Sequence, residues 1–338
     1  GNGGGILDEA VDVVNLFVPK GEKIVFTKGK VKQWDRTYYT QNQPIDEIIP
    51  IVVLIDNGSA SASEIVAGSL QDLDRAVIVG NRSFGKGLVQ TPRDLPYGGN
   101  IKITTSKYYI PSGRCIQALD YSHRNPDGSV ARVPDSLTNV FKTRNGREVR
   151  DGGGIPPDIT LPQDRVGPIA FYLMTDNIIF DFVTEWMQAH PKIAPPESFR
   201  LSDTDYQSFK EFVKAKDFKY DQLSERSLEQ LKNMMEFEGY MDVASAEYKA
   251  LEAKLHPDLD RDLELFRKDI SRMIESEIVQ RHYYKKGVLI HQLSDDTVFD
   301  KAVEVLRNPD LYRSLLQPKP ANMPQAKEIK EKLKNQYS

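Results

Sequence analysis

Two apolar runs and the helical pattern between them, all within residues 51–90, constrain the fold of this chain most strongly. The first run, Ile51 to Ile55, leads through a Gly/Ser turn into a short helical pattern. The second run, Ala76 to Val79, leads to a lysine flanked by glycines, Lys86. Strand, helix and strand in this order form a βαβ unit, which predicts an α/β fold with a mostly parallel sheet covered by helices.

The two turns that follow these strands are predicted to lie at one edge of the sheet, where functional sites of open α/β folds collect. Ser61 lies at the first turn, where backbone N–H groups at the start of a helix point outward with partial positive charge. A hydroxyl nucleophile beside such an anion site is suited to acyl transfer. Lys86, at the second turn, is the candidate base.

The composition excludes several classes of function. A net charge of −4 over 338 residues gives no basic surface for nucleic acid. Cys115 is the only cysteine, which excludes an internal disulfide and a thiolate metal cluster. The five histidines show no metal-ligand spacing, and no run of 18 apolar residues is present to cross a membrane. We therefore expect neither a metal nor an organic cofactor.

The rest of the first half completes an α/β domain over residues 1–164. Apolar residues from Leu7 to Phe17 recur at spacings of three and four and predict a helix, and residues 23–27 and 101–109 predict strands. Residues 111–154 are rich in Pro, Gly, Asn, Asp and Arg, which favours a long loop excursion with at most short strands. Residues 152–162 then return the chain to the sheet edge.

After residue 164 the apolar residues no longer alternate with polar ones as in strands but recur with the spacing of a helix. Apolar spacings of three and four predict an all-α domain over residues 165–317. The segment 318–338 is rich in Pro and Lys and has few large apolar residues, which predicts a disordered tail.

A serine needs a base to take its proton, and the histidines all lie outside the α/β core pattern. A lysine serves only when it is neutral. Half-neutrality at pH 7 requires lowering its pKa by about 3.4 units, or about 4.6 kcal/mol, which only a well-buried amine obtains. The glycines beside Lys86 permit close packing, and Phe84 and Val89 are predicted to supply apolar cover.

Each candidate also has a purely structural interpretation. Ser61 and Glu64 form S-x-x-E, the capping box that would make Ser61 a helix N-cap. Lys86 in a Gly-Lys-Gly turn fits a solvated loop lysine, and Gln90 fits a polar residue at a strand edge. A phosphate-binding loop is disfavoured because Gly85-Lys86-Gly87 has no following Ser or Thr.

Residues 1–162 nevertheless resemble the carboxyl-terminal processing proteases, also called tail-specific proteases, which are serine peptidases with a Ser-Lys dyad. The matching segments are SASASEIVAGSLQD, SFGKGLVQ, GNGGGILDEAV, ITTSKYYIPSGRCIQ and GIPPDI. The resemblance implies that Ser61 is the nucleophile, that Lys86 is the base and that Gln90 orients the lysine. It implies an oxyanion hole formed by the N–H groups of Ala62 and of a glycine in residues 3–5, with Gly5 preferred and Gly4 the alternative. The implied core is of the crotonase-like spiral type.

The resemblance also carries expectations about the parent protein. Relatives carry a PDZ domain and further strands ahead of the first matching segment, so we expect a chain that lacks part of the core sheet. Its exposed sheet edge would pair with another copy to form a homo-oligomer, and its activity in isolation is left open. The expected substrates are proteins with accessible C-terminal tails, cleaved near their C-termini. The expected location is extracytoplasmic, either periplasmic or membrane-associated through a preceding segment.

Two other functions remain open at this point. One is a non-catalytic binding or scaffold module, whose partner surface would use aromatic and Met side chains of the helical domain. Those side chains are Trp186, Met187, Met234, Met235, Tyr283 and Tyr284. The other is an acyl-thioester enzyme of the related spiral class, which would have no use for a paired Ser61 and Lys86.

Overall fold

A computed structural model describes residues 1–122, 124–125, 127–162, 167–216, 218–220, 223–255 and 258–318. Its contacts divide the chain into two units: residues 1–163 together with 297–338, and residues 164–296. The predicted disordered tail lies outside the described residues beyond Pro318. No helix of the described residues combines the length and apolar content that a membrane-spanning helix needs.

The first unit contains both helices and strands, and it includes the predicted order of strand, helix and strand over residues 51–80. In chain order they are α1 (Leu7–Asn15), β1 (Lys23–Gly29), β2 (Thr37–Tyr39), β3 (Val52–Ile55), α2 (Ala62–Asp72), β4 (Val77–Gly80), β5 (Leu88–Asp94), β6 (Asn100–Tyr109), β7 (Val140–Lys142), β8 (Glu148–Arg150) and β9 (Ile159–Thr160). The helices of residues 164–296 follow as α3 (Pro168–Thr175), α4 (Ile178–Ala189), α5 (Asp203–Ala215), α6 (Leu223–Glu238), α7 (Met241–Leu255), α8 (Leu259–Leu265) and α9 (Arg267–Leu293). The described chain ends with α10 (Thr297–Arg307) and α11 (Pro309–Leu315).

The prediction of a mostly parallel sheet is wrong. Within the described residues, parallel pairing is confined to the three-stranded sheet β3-β4-β9. A four-stranded sheet in the order β2-β1-β6-β5 and the ribbon β7-β8 are antiparallel. The physical reason is connection length: β5 and β6 are joined by a short turn, and a parallel pair needs a crossover of a dozen or more residues.

The parallel sheet is buried on both faces at β4, as its unbroken apolar sequence requires. Val77, Ile78 and Val79 are fully buried. Ile78 packs into the main core together with residues of α1 and α2, whereas Val77 and Val79 pack against Val305 of α10. Strand β4 therefore holds a fixed position from which the chain runs on to Lys86.

Helices α10 and α11 belong to the first unit by their contacts, whereas the sequence prediction placed residues 165–317 in one helical domain. The hydroxyl of Tyr312 in α11 accepts a hydrogen bond from the N–H of Ile51 at 3.0 Å and lies 3.2 Å from the carbonyl oxygen of the same residue. Helical periodicity identifies these elements as helices but does not reveal the surface on which they pack.

The second unit is an all-α body with its own core, which includes Phe182, Phe209, Ile270 and Ile278. Helix α9 folds back on itself at Tyr284, whose φ of 56° and ψ of −167° interrupt the helical backbone. Glu275 and His291 are sixteen positions apart, yet Oε2 of the first lies 3.1 Å from Nε2 of the second. In a straight helix, residues at that separation would be about 24 Å apart.

Candidate active site

Ser61 lies at the turn that connects β3 to α2, as the sequence predicts. It directly precedes Ala62, the first residue of α2, and its backbone has φ 59° and ψ −117°. A non-glycine residue held at such angles costs about 1–3 kcal/mol, and this kind of strain concentrates at active sites. The turn has the strained strand-to-helix character that exposes a serine nucleophile in hydrolases.

Lys86 lies in the loop between β4 and β5, and its flanking glycines are required by close backbone packing. Gly85 has φ 89°, and a Cβ added there would overlap the Cβ of Ala118. A Cβ on Gly87 would lie 2.8 Å from the backbone nitrogen of Gln117, whose side-chain Oε1 accepts the Gly87 N–H at 2.7 Å. The two glycines thus hold the loop against residues 117 and 118.

The predicted burial of Lys86 is wrong. The side chain of Lys86 is exposed, and Phe84, which was expected to cover it, is 42% exposed itself. The reason is that the tight packing of this loop involves its backbone, at Gly85 and Gly87, rather than the lysine side chain.

The carboxylate of Glu64 joins the serine turn to the lysine loop. It is fully buried in the first turn of α2. Its Oε2 accepts the N–H groups of Ser61 at 2.8 Å and of Lys86 at 2.9 Å. Its Oε1 accepts the Ser83 hydroxyl at 2.5 Å and the Gly85 N–H at 2.7 Å. Hydrogen bonds to a carboxylate are stronger than neutral ones, so this single side chain fixes both loops.

Tyr108 binds the same two loops through their carbonyl groups. Its hydroxyl donates to the carbonyl oxygen of Lys86 at 2.7 Å and lies 3.2 Å from that of Ser61. Its backbone N–H donates to the carbonyl oxygen of Gly87 at 3.0 Å. Burial, together with the nearby negative charge of Glu64, raises the pKa of Tyr108 well above its usual value, so the phenol keeps its proton.

The glycine segment at the start of the chain packs directly against the serine turn. Gly4 has φ 93°, and a Cβ there would lie 2.5 Å from the carbonyl oxygen of Ala60 and 2.8 Å from the nitrogen of Ala62. The same Cβ would lie 2.9 Å from the Cβ of Ser61. Only glycine allows this approach.

Two predicted oxyanion donors have open N–H groups. The Gly4 N–H donates to Oδ1 of Asn2 at 2.9 Å, so it is occupied. In the part of the chain that the structure describes, the N–H groups of Gly5 and Ala62 have no hydrogen-bond partner. Gly5 is therefore the better candidate of the two glycines, because Asn2 already accepts the Gly4 N–H.

Gln90 lies on β5, exposed, opposite Thr104 of β6. A bulge between Val89 and Gln90 interrupts the register there. Within residues 1–122 the structure shows no hydrogen bond from Gln90 to Lys86, so its orienting role stays a prediction.

Two more of the matching segments, around residues 114 and 154, contact α2 and the lysine loop. The Ser83 hydroxyl accepts the N–H of Ile155 at 2.6 Å, and a Cβ on Gly154 would lie 2.6 Å from the Ser83 carbonyl oxygen. Arg114 forms a fully buried ion pair with Asp72 at the end of α2, at 2.8 Å. Removing one partner of such a pair is costly, so the pair fixes where α2 ends.

Other reactive groups belong to the second unit, fall outside the described residues or are unsuited to the site. The structure places His190, His282 and His291 in the helical unit, and His123 and His256 lie outside the described residues. Burial raises the pKa of the Cys115 thiol, which disfavours the reactive thiolate. Among the described residues, no group of three or more His, Cys, Asp or Glu could hold a metal ion.

The sequence did not identify Tyr108, Ser83 and Asn2 as site residues. The sequence identified Glu64 only as a member of a capping box. The contact that this motif predicts for Glu64 is present, since its carboxylate accepts the Ser61 N–H. A buried carboxylate at a helix start next to a candidate nucleophile was a usable signal. Nothing in the local pattern around Tyr108 marks its hydroxyl as different from that of Tyr109.

Comparison with known proteins supports the resemblance over separate parts of the chain. Residues 1–122 match Peptidase family S41, and residues 169–306 match the C-terminal helical domain of probable PDZ-proteases. A carboxy-terminal-processing protease of Bartonella bacilliformis is 48% identical over 150 residues, which cover 44% of this chain and 34% of the relative. A probable CtpA-like serine protease of Staphylococcus aureus strain COL is 41% identical over 179 residues, which cover 52% and 34%.

The similar solved structures include a photosystem II D1 C-terminal processing protease, 30% identical with a TM-score of 0.35. The match covers 49% of this chain and 34% of the other. The chain spans about a third of the length of the curated relatives it matches.

Proposed function

We propose that this chain, whose residues 1–122 match Peptidase family S41 and whose residues 169–306 match the C-terminal helical domain of probable PDZ-proteases, carries the catalytic site of a serine endopeptidase. One observation carries the proposal. The buried carboxylate of Glu64 binds the backbone N–H groups of both Ser61 and Lys86, which are 25 positions apart in the chain. A structural capping box would need only the first of these contacts.

In the proposed mechanism, the Ser61 hydroxyl attacks the scissile carbonyl carbon and gives its proton to the Lys86 amine. The N–H groups of Ala62 and Gly5 bind the oxyanion of the tetrahedral intermediate. Lys86 returns the proton to the leaving amine, and the acyl group remains on Ser61. Water then attacks this ester and gives a proton to Lys86, which passes it to the Ser61 oxygen as that oxygen leaves, so the second product departs as a carboxylic acid and the serine hydroxyl and neutral amine are restored.

The exposure of Lys86 adds a requirement to this mechanism. A lysine is a base only when neutral, and removal from water is a main way to favour the neutral amine. We propose that the bound peptide supplies this cover by lying over Lys86 and the half-exposed ring of Phe84. Occupation by a peptide would then raise the reactivity of Ser61 above that of the empty site.

The substrates that fit are proteins with accessible C-terminal tails, cut near the C-terminus. The support is the names of the relatives, which describe carboxy-terminal processing. The crotonase-like spiral, the extracytoplasmic location and self-association through a sheet edge belong to the same proposal. Strand β3 supports the last of these, since it is an edge strand of its sheet in the described residues and Leu54 on it is 39% exposed. Light scattering and cell fractionation test the oligomer and the location.

The test is cleavage of a reporter protein with an accessible C-terminal tail by the full-length parent. We expect Ser61→Ala and Lys86→Ala each to abolish cleavage while the melting temperature stays close to that of the parent. Ser63→Ala and Lys102→Ala are matched controls, since they remove the same groups nearby, and both should cleave normally. Retained cleavage in either dyad variant would refute the assignment of the dyad, and a parent that neither cleaves nor labels would favour the binding-module alternative.

A further inference from the structure

We infer that Tyr108 is a positioning residue of the proposed Ser-Lys dyad, holding the serine turn and the lysine loop in register through its hydroxyl group. This inference rests on the proposed function. It concerns a residue on β6, far in sequence from both loops and outside every contact that the mechanism uses.

The geometry of Tyr108 is unusual because one hydroxyl reaches the carbonyl groups of both proposed catalytic residues. The contact to Lys86 is 2.7 Å and the contact to Ser61 is 3.2 Å. The phenol has one proton, so the shorter contact is the principal hydrogen bond and the longer one shares the same donor. The two carbonyl oxygens therefore lie within two hydrogen-bond lengths of each other.

The position of the hydroxyl is itself fixed. The backbone N–H of Tyr108 binds the carbonyl oxygen of Gly87 at 3.0 Å, directly after Lys86, and the side chain is only 2% exposed. The ring belongs to the main core with residues of α1 and α2. The hydroxyl cannot move away from the loops without disturbing this packing.

Tyr108 complements Glu64. The carboxylate accepts the N–H groups of Ser61 and Lys86, and the phenol binds their carbonyl oxygens. Each residue of the dyad is thus held at both its N–H and its carbonyl group. Because the Lys86 side chain is exposed, these backbone contacts fix the position of the Lys86 backbone, from which the side chain with its amine extends. Small displacements of catalytic groups are costly in rate.

The ionisation of the phenol supports this role. Burial and the Glu64 carboxylate raise the pKa of Tyr108 well above its usual value. The hydroxyl therefore remains a donor across the pH range in which a serine peptidase works. A phenolate would place a negative charge against two carbonyl oxygens.

The test compares Tyr108→Phe with Tyr109→Phe in the full-length parent. Both variants keep the ring and remove one hydroxyl, and in the described residues the Tyr109 hydroxyl has no hydrogen-bond partner. We expect Tyr108→Phe to lower kcat about tenfold or more, or about 1.4 kcal/mol at the barrier, with KM unchanged within about twofold. Tyr109→Phe should leave both constants unchanged. Labelling of Ser61 by a small fluorophosphonate, which needs no tail recognition, should slow by the same factor as kcat.

Incorporation of p-aminophenylalanine at position 108 restores a donor of similar reach and should recover part of the lost rate. A kcat within twofold of the parent, a change confined to KM, or an equal effect of Tyr109→Phe would overturn the inference. So would a fall of more than about 10 °C in the melting temperature of Tyr108→Phe, since the hydroxyl would then be needed for the fold. If the parent and Tyr109→Phe neither cleave nor label, the proposed function itself fails, whereas an active parent beside an unaffected Tyr108→Phe refutes this inference alone.

Discussion

Replacing Glu64 by glutamine should strongly destabilise the first unit, although the two side chains have nearly the same shape. Glutamine can accept hydrogen bonds at one of its two terminal positions and must donate at the other. With its NH2 group at the Oε2 position it would face the N–H groups of Ser61 and Lys86; at the Oε1 position it would face Gly85 and the Ser83 hydroxyl. The first orientation loses two hydrogen bonds; the second loses the Gly85 bond and forces the Ser83 hydroxyl to turn and accept, and in both the remaining bonds lose the charge of the carboxylate at a fully buried site.

Hydrogen bonds to a charged group contribute about 1.5–3 kcal/mol each, so the expected loss is about 3–6 kcal/mol. A domain has a free energy of unfolding of about 5–15 kcal/mol, so this is a large fraction of the total. The matched control is Glu148→Gln, because Glu148 is exposed on β8 and the same chemical change there should cost less than about 0.5 kcal/mol.

The assay is urea unfolding followed by tryptophan fluorescence. The chain has two tryptophans, Trp34 in the first unit and Trp186 in the second. A Trp186→Phe background therefore leaves Trp34 as the only fluorophore, stacked on Arg93 with the guanidinium 4.9 Å from its ring. A loss below about 1 kcal/mol for Glu64→Gln, or a loss equal to that of the control, would refute the view that this carboxylate joins the two loops.

Three further predictions use the same assay. Gly4→Ala should lower the free energy of unfolding by about 2–4 kcal/mol and abolish cleavage, because Gly4 has φ 93° and the new Cβ would overlap backbone atoms. Gly3→Ala should be nearly neutral, since a Cβ there has nothing within 4 Å, and equal effects of the two variants would contradict this packing. Val305→Ala should lower the free energy of unfolding reported by Trp34 by about 1.5–3 kcal/mol, and Val140→Ala, at a 47% exposed position of the same unit, should not. The Tyr108 phenol ionises near pH 10 in the unfolded chain, whereas burial keeps its pKa higher in the folded chain. The stability that the protonated phenol contributes is therefore present below pH 10 and is lost as the pH rises through the folded pKa. Tyr108→Phe should remove that part of the alkaline loss, and an unchanged pH profile would contradict the assignment.

The strand, turn and helix around Ser61 were predictable because the signals are local. An apolar run, a Gly/Ser turn and a capping box lie within residues 51–72, and each acts over a few positions. The sequence identified Ser61 and Lys86 as candidates for the same reason. The long loop excursion and the helices of the second half also follow from local composition and period.

What the sequence could not predict depends on contacts between distant positions. Three of the four donors to Glu64 lie 19–22 positions beyond it, in the lysine loop. The cover of Lys86 was inferred from neighbouring apolar residues, but neighbours in sequence do not determine which side chains fold over one another. The spacing of apolar residues likewise predicted helix in this part of the chain, but it did not show that Val305 of α10 packs on β4.

The antiparallel sheet was missed for a related reason. Residues 101–109 give a clear strand pattern, but a strand pattern does not specify its partner or direction. The turn at residues 96–99 fixes the direction, and Gly98 with φ 76° is part of it. Strands β5 and β6 therefore form an antiparallel pair within the four-stranded sheet, where a mostly parallel sheet had been expected.

The central claim is that Lys86 activates Ser61, and the most direct measurement is the site and rate of fluorophosphonate labelling in the full-length parent, read by peptide mass spectrometry. The claim predicts a single adduct on Ser61 whose formation rises with pH and falls at least about a hundredfold in Lys86→Ala, as expected when a base is removed. Lys102→Ala should label like the parent. An adduct on another serine, or labelling of Ser61 at an unchanged rate without Lys86, would contradict it.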